Sequence, residues 1–250
     1  ASPLNGELHL IHVAQRNHEN SHSILQNLTK VAESSALNDV KVSVHVENSE
    51  DIVAEIQSRI RELSCNMIFM AWRAEINSIS ILASDNISLT KDLNLDTLIL
   101  KERNLQKVER ILVPTGGGPH SVLGIQIAYD LAQNWGAEIE ILRIARDLKG
   151  DPNDPIHRRY CEQLREDTRV QLELLNISAP ISIKSAEHVV PAVTAYSKNF
   201  DLVVMGASND WRQEEYLSGS IPDKIASSVN CSALMARSAS TTETSLSKVF

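Results

Sequence analysis

The sequence predicts an α/β protein of two tandem units. Each is a parallel five-stranded sheet with helices on both faces, and the first unit is incomplete at its N-terminal end. Three observations carry this prediction. Short apolar runs alternate with stretches of helical spacing through residues 108–237. The first half repeats that order. The apolar run Leu202–Met205 stops at Gly206 and is followed by more small residues, as at the end of a buried parallel strand.

The second half is the clearer. VERILVPT (108–115) reads as a strand. Leu123, Ile127, Leu131 and Trp135 give a helical stripe over 121–135, with Gly136 as the stop and Trp135 expected in the core. AEIEILRIA (137–145) is the next strand. Asp154-Pro155 starts a helix that carries Tyr160, Leu164, Leu172 and Leu175. PISIKSA (180–186) is a strand, 189–199 a helix, and DLVVMGA (201–207) a strand. A loop leads to a helix at 221–229 and a last strand, SALMAR (232–237). Parallel strands joined by helices require helices on both faces.

In the first half GELHLIHVA (6–14) matches the strand at 137–145, and a long helix spans 21–37. The stretch 40–60 matches 180–197, with Glu50 opposite Glu187. NMIFMAW (66–72) matches DLVVMGA, and DTLILKER (96–103) matches SALMARSA. Nothing matches VERILVPT and its helix, so the first sheet lacks that strand unless another segment fills the gap. The expected domains are 1–103 and 104–238, with the boundary in the polar segment near Asn104 and a polar tail at 239–250.

Composition limits the function. The 250 residues are 42% hydrophobic and 22% charged, with a formal net charge of −8. That balance argues against nucleic acid or an anionic membrane as partner. No apolar run is long enough to span a bilayer. The three cysteines, Cys65, Cys161 and Cys231, are far apart, so a reduced cytoplasmic chain is expected. No nucleophile elbow, triad or carboxylate dyad is present, and the expectation is a non-enzyme without metal. Of the eight histidines, His18 and His22 stand at helical spacing and could bind a metal if helical, but no third ligand is evident and they read as surface groups; His120 is isolated.

Two segments could hold a ligand. GGGPHS (116–121) lies between a strand and a helix, where it is either a tight turn or an anion site. It lacks the last glycine and the distant acid of a dinucleotide fingerprint. The second segment has the spacing Gly206-x2-Asn209-x9-Gly219-Ser220. Ser220 either donates to a phosphate or caps the helix ahead of Pro222.

These segments resemble the universal stress protein family, whose domains are Rossmann-like. The residues that carry the resemblance are ILVPTGGG, GAEIEILRIA, DLVVMGAS, the Gly219-Ser220 pair and SALMAR. In ATP-binding members the loop Gly-x2-Gly-x9-Gly-Ser/Thr wraps the triphosphate and ribose, and an Asp after the first strand reaches base and ribose. Here Asn209 replaces the second glycine and Gly116 stands where the Asp would be. The resemblance therefore implies a vestigial nucleotide site at Gly116, Gly117, Gly118, Gly206, Asn209, Gly219 and Ser220, with no cofactor. The alternative is a nucleotide sensor that binds ATP through the same residues. ILVPTGGGP is similar to the C-terminal cytoplasmic domains of prokaryotic cation-chloride cotransporters, relatives of amino-acid permease-like transporters. That implies a regulatory and dimerisation module on the cytoplasmic face of the cell membrane, partnered by the transporter's transmembrane domain. Family dimers often join their fifth strands, so a homodimer through Leu234 and Met235 is expected.

Overall fold

The structure is a computed structural model that describes residues 6–15, 21–34, 40–71, 95–118, 120–146, 154–207 and 220–239. Packing divides the chain into two compact units, Ala1–Cys65 and Asn66–Phe250.

The first unit contains β1 (Glu7–Gln15), α1 (Ser21–Ala32), β2 (Lys41–Ser49) and α2 (Ile52–Glu62). β1 and β2 pair in parallel, from Glu7 opposite Lys41 to Gln15 opposite Ser49. Among the described residues they form a two-stranded sheet. Asp51 starts α2 because its carboxylate accepts from the Ala54 amide at 2.9 Å, relieving one orphan donor of the first turn. Arg59 anchors the helix to β2 through Glu47 at 2.6 Å, and Ile60 is buried.

The second unit contains β3 (Met67–Ala71), β4 (Asp96–Lys101), β5 (Arg110–Pro114), α3 (Ser121–Trp135), β6 (Glu138–Arg146) and α4 (Pro155–Leu174). It continues with β7 (Ile181–Ala186), α5 (Val189–Tyr196), β8 (Leu202–Gly206), α6 (Ile221–Ser228) and β9 (Ser232–Arg237). The strands form one seven-stranded sheet in the order β3-β4-β9-β8-β5-β6-β7. All neighbours are parallel except β4 and β9.

Alternation along the strands builds two cores, because successive side chains leave a strand on opposite faces. Ile111, Val113, Ile141, Leu202 and Val204 pack beneath Ile125 and Ala128 of α3 and Leu172 of α4. Leu112, Leu142, Val203 and Met205 pack beneath Val193 of α5 and Ile225 and Ala226 of α6. β5 is central to both, and Ile111 and Leu112 are wholly buried. Asp201 holds its entry, accepting from the Glu109 and Arg110 amides at 2.8 and 2.9 Å.

Several expectations need correction. The sheet of the second unit has seven strands, not five, and it is mixed rather than wholly parallel. β3 and β4, placed by sequence in the first domain, belong to it. The four strands of the first half lie in two separate sheets, β1-β2 in one and β3-β4 in the other. The polar segment around Asn104 is a tight turn within the second unit. Asn104 adopts φ 53°, the Leu105 amide donates to Glu102 at 2.8 Å, and the Arg103 amide donates to Ser232 Oγ at 2.8 Å. Charged residues there satisfy a turn rather than solvate a linker.

β9 is paired on both edges, by β8 and by β4. Leu100 stands opposite Leu234 and Ile99 opposite Met235, so the fifth-strand contact expected between two copies is made inside one chain. Trp135 is 49% exposed rather than core. The buried stripe of α3 is Ser121, Gly124, Ile125, Ala128 and Ala132, turned about one position from the expected one. Small residues face the sheet because Gly124 backs onto the end of β8. A Cβ on Gly124 would stand 3.1 Å from the Gly206 nitrogen.

Candidate functional site

In an open α/β sheet, ligands bind beyond the carboxyl ends of the strands where the connections change direction. In this sheet that point lies between β5 and β8, with the turn after β5 on one side and the segment after β8 on the other. Five of the seven candidate residues lie within the described structure: Gly116, Gly117, Gly118, Gly206 and Ser220. Asn209 and Gly219 lie outside it.

Gly206 is used for packing. A Cβ there would fall 2.7 Å from both the His120 carbonyl carbon and the Ser121 nitrogen. The chain thus brings backbone against backbone at the point where a ligand would enter. His120, just ahead of α3, is 2% exposed. Its Nδ1 accepts from the Ser238 amide at 3.1 Å, which puts the ring proton on Nε2 in the neutral form. This bond joins the start of α3 to the segment after β9. The next amide, Ala239, donates to Asp96 at 2.7 Å. The protein's own groups therefore bridge the crevice. Sequence reasoning saw His120 only as an isolated histidine, since nothing local marks a side chain whose partner lies 118 residues away.

Ser220 is the cap of α6 and completes a capping box with Asp223. The Asp223 carboxylate accepts from the Ser220 amide at 2.8 Å and from its hydroxyl at 2.7 Å. Pro222 contributes no amide proton. The first turn of α6 thus carries its own anion, and the Ser220 and Asp223 amides are committed within the cap, where a phosphate would need them free. The cavity beside it, lined by Thr97, Ala207, Ser220, Asp223 and Arg237, has a volume of about 10 Å³. That holds one water and no phosphate. Ser220→Ala is expected to cost about 1 kcal/mol through loss of the cap, measured as a lower urea midpoint with unchanged m-value.

The Gly116–Gly118 turn is different. All three glycines are exposed, and a Cβ on Gly116 or Gly118 would meet nothing within 4 Å. Gly117 adopts φ +79°, and its amide donates to Thr115 Oγ at 3.2 Å. The structure therefore separates the candidate residues into a closed part, Gly206 and Ser220, and an open part, Gly116–Gly118.

One further polar cluster is on the surface. His157 Nε2 on α4 meets Ser185 Oγ at 2.7 Å and Cys161 Sγ at 3.5 Å. One ring nitrogen serves both groups, which is a packing arrangement rather than a nucleophile with its base. No group of metal-binding side chains occurs among the described residues. No described helix is long and apolar enough to cross a membrane.

The seven-stranded α/β sheet with its switch point between β5 and β8 defines a Rossmann-like architecture. The sequence pattern of the universal stress protein family matches residues 107–237, over half of the chain, and the protein belongs to that family. No curated protein sequence matches it significantly. Among solved structures it is similar to the cytoplasmic domain of a prokaryotic cation chloride cotransporter, with TM-score 0.66 and 14% identity over 98% of this chain and 89% of that one. It is also similar to a functionally unknown protein from Pseudomonas aeruginosa PAO1, with TM-score 0.64 and 16% identity over 94% and 83% of the two chains. A universal stress protein from Archaeoglobus fulgidus DSM 4304 gives TM-score 0.63 and 17% identity over 93% and 86%. At these identities the likeness is one of fold.

Proposed function

We propose that this chain is a non-enzymatic regulatory domain of a membrane transporter of the cation-chloride cotransporter kind, placed on the cytoplasmic face of the membrane beside the transporter's transmembrane domain. One observation carries the non-nucleotide part of this reading. Among the described residues the chain's own groups meet at the switch point: Gly206 lies against His120 and Ser121, His120 is bonded to Ser238, and Asp223 sits on the first turn of α6. The residues Gly116, Gly117, Gly118, Gly206, Asn209, Gly219 and Ser220 are then a vestigial nucleotide site that persists as scaffold. The transporter part is supported by the fold shared with a cotransporter's cytoplasmic domain along nearly the whole chain. Both edges of β9 are occupied, so any homodimer uses another surface.

Titration with ATP in a calorimeter is the test. The expected result is no heat of binding at about 1 mM ATP. Binding tighter than about 10 μM that is abolished by Gly219→Val would establish the nucleotide sensor instead. The reading frame upstream of residue 1 tests the transporter. Segments of about 20 apolar residues there support it, and a start codon directly before residue 1 removes it.

A further inference from the structure

We propose that His9, Ser43 and His45 form a proton-sensitive latch in the first unit, which loosens the pairing of β1 with β2 when both rings are protonated. Ser43 stands opposite His9 in the parallel register, and His45 follows two residues along β2. All three side chains therefore leave the sheet on one face. His9 Nδ1 meets Ser43 Oγ at 2.6 Å, and His45 Nε2 meets the same oxygen at 3.3 Å. The ring centroids are 5.6 Å apart. His9 has only 14% of its side chain exposed, and Ser43 and His45 are half-buried. One hydroxyl thus joins the two strands through two titratable rings.

The number of protons on this chain of groups decides its state. A serine hydroxyl has one proton to donate and two lone pairs that accept. With both rings neutral, one ring donates to Ser43 and Ser43 donates to the other. One added proton leaves the chain intact, because the charged ring donates to Ser43 and Ser43 donates to the neutral ring. A second proton breaks it. Both rings then donate, the serine proton loses its imidazole acceptor, and two cations share one oxygen.

The surroundings do not absorb that second charge. α2 lies on this face, with Arg59 Nη2 2.6 Å from Glu47 of β2. Arg59 also meets Glu62 at 3.0 Å and Glu55 at 3.9 Å, so these carboxylates already have a cation. Glu7, 3.8 Å from His9 Nε2, is held by Lys41 at 2.6 Å. The charges that act on His45 come from three elements: His9 on β1, Glu47 on β2, and Arg59 and Glu62 on α2. α1 also packs on β2, and its His22 and Lys30 are not among them. Burial, then His9 and Arg59, hold His45 below the ordinary histidine pKa against the opposite pull of Glu47 and Glu62. The folded chain therefore takes up this proton at lower pH than the unfolded chain. The stability this represents is fully present above about pH 6.5 and is lost as the pH falls below it.

The latch goes beyond the proposed function and does not depend on it. In a regulatory domain it would tie the packing of the first unit to proton concentration. The test is hydrogen exchange of the whole chain, followed by mass spectrometry at about pH 7.5 and about pH 5.5, where ordinary carboxylates stay ionised. Rates are corrected for the intrinsic effect of pH. Peptides of β1 and β2 are expected to lose at least about tenfold in protection at the lower pH, relative to peptides of β5 and β8 in the same sample. H45Q can keep a hydrogen bond to Ser43 but takes up no proton, and is expected to hold its protection at both values. His12 and His22 are unchanged in that variant, so their titration cannot account for the difference. Histidine Cε1 proton resonances give a second measurement. The His45 titration is expected to move upward by about half a pH unit in H9Q, which removes the neighbouring cation. Protection of β1 and β2 that is insensitive to pH in wild type overturns the proposal, as does an equal loss in H45Q. So does a His45 titration that stays in place in H9Q.

Discussion

Gly206→Val is expected to destabilise the second unit by about 3 kcal/mol. The glycine Cα sits where any Cβ would fall 2.7 Å from two backbone atoms, the His120 carbonyl carbon and the Ser121 nitrogen. A flexible side-chain tip could move aside, but these atoms begin α3, which is fixed by Ile125 and Ala128 in the core. Relief requires either the helix or β8 to shift, and a Cβ on Gly124, one turn further on, would itself stand only 3.1 Å from the Gly206 nitrogen. The change should appear as a fall in urea midpoint at constant m-value, and as a melting temperature lower by roughly 10 °C. A loss below about 0.5 kcal/mol would show that the ends of β8 and α3 separate freely. The crevice would then be open rather than filled, and the non-nucleotide reading would lose its support.

Leu234→Asp is expected to abolish the fold of the second unit, with a loss of about 4 kcal/mol. Leu234 is 4% exposed, lies on β9 between β8 and β4, and stands opposite Leu100. A carboxylate there has no cation among its strand neighbours, Val204 and Leu100, and must either remain neutral or leave the core. The same substitution discriminates between two uses of the strand. At an interface between two copies it would produce a folded monomer with near-normal melting. In an intramolecular sheet it unfolds the chain that carries it. Near-ultraviolet circular dichroism and light scattering on the purified variant separate these outcomes, and a stable monomer would refute the β4–β9 pairing.

Much of the fold was legible residue by residue. The strands β5 to β9 sit within a residue or two of the apolar runs that announced them, because a buried parallel strand must be nearly continuous in Val, Ile and Leu. Asp154-Pro155 and Gly136 marked helix ends correctly, through a side-chain cap on Ile156 at 2.9 Å and a left-handed φ of 65°. Ser220 was legible as a cap, but the partnership with Asp223 decides what it can bind. The expected boundary near Asn104 failed because charge and turn-forming residues serve a tight turn as well as a linker. The site was legible in its residue types and not in its state. Gly206 read as room for a ligand, whereas it is room for the backbone of His120 and Ser121.

By itself the sequence determined which segments are strands and helices, their order, and the family to which the second half belongs. Those properties rest on local periodicity and on glycine and proline punctuation, and neither depends on distant residues. Only the tertiary structure decided that β3 and β4 join the sheet of the second half, that β4 covers the edge of β9, and that Gly206 packs against the backbone of His120 and Ser121. Each of these is a contact between segments roughly a hundred residues apart. Such contacts are set by which edges and faces remain unpaired once the local elements have formed, and no local pattern records that.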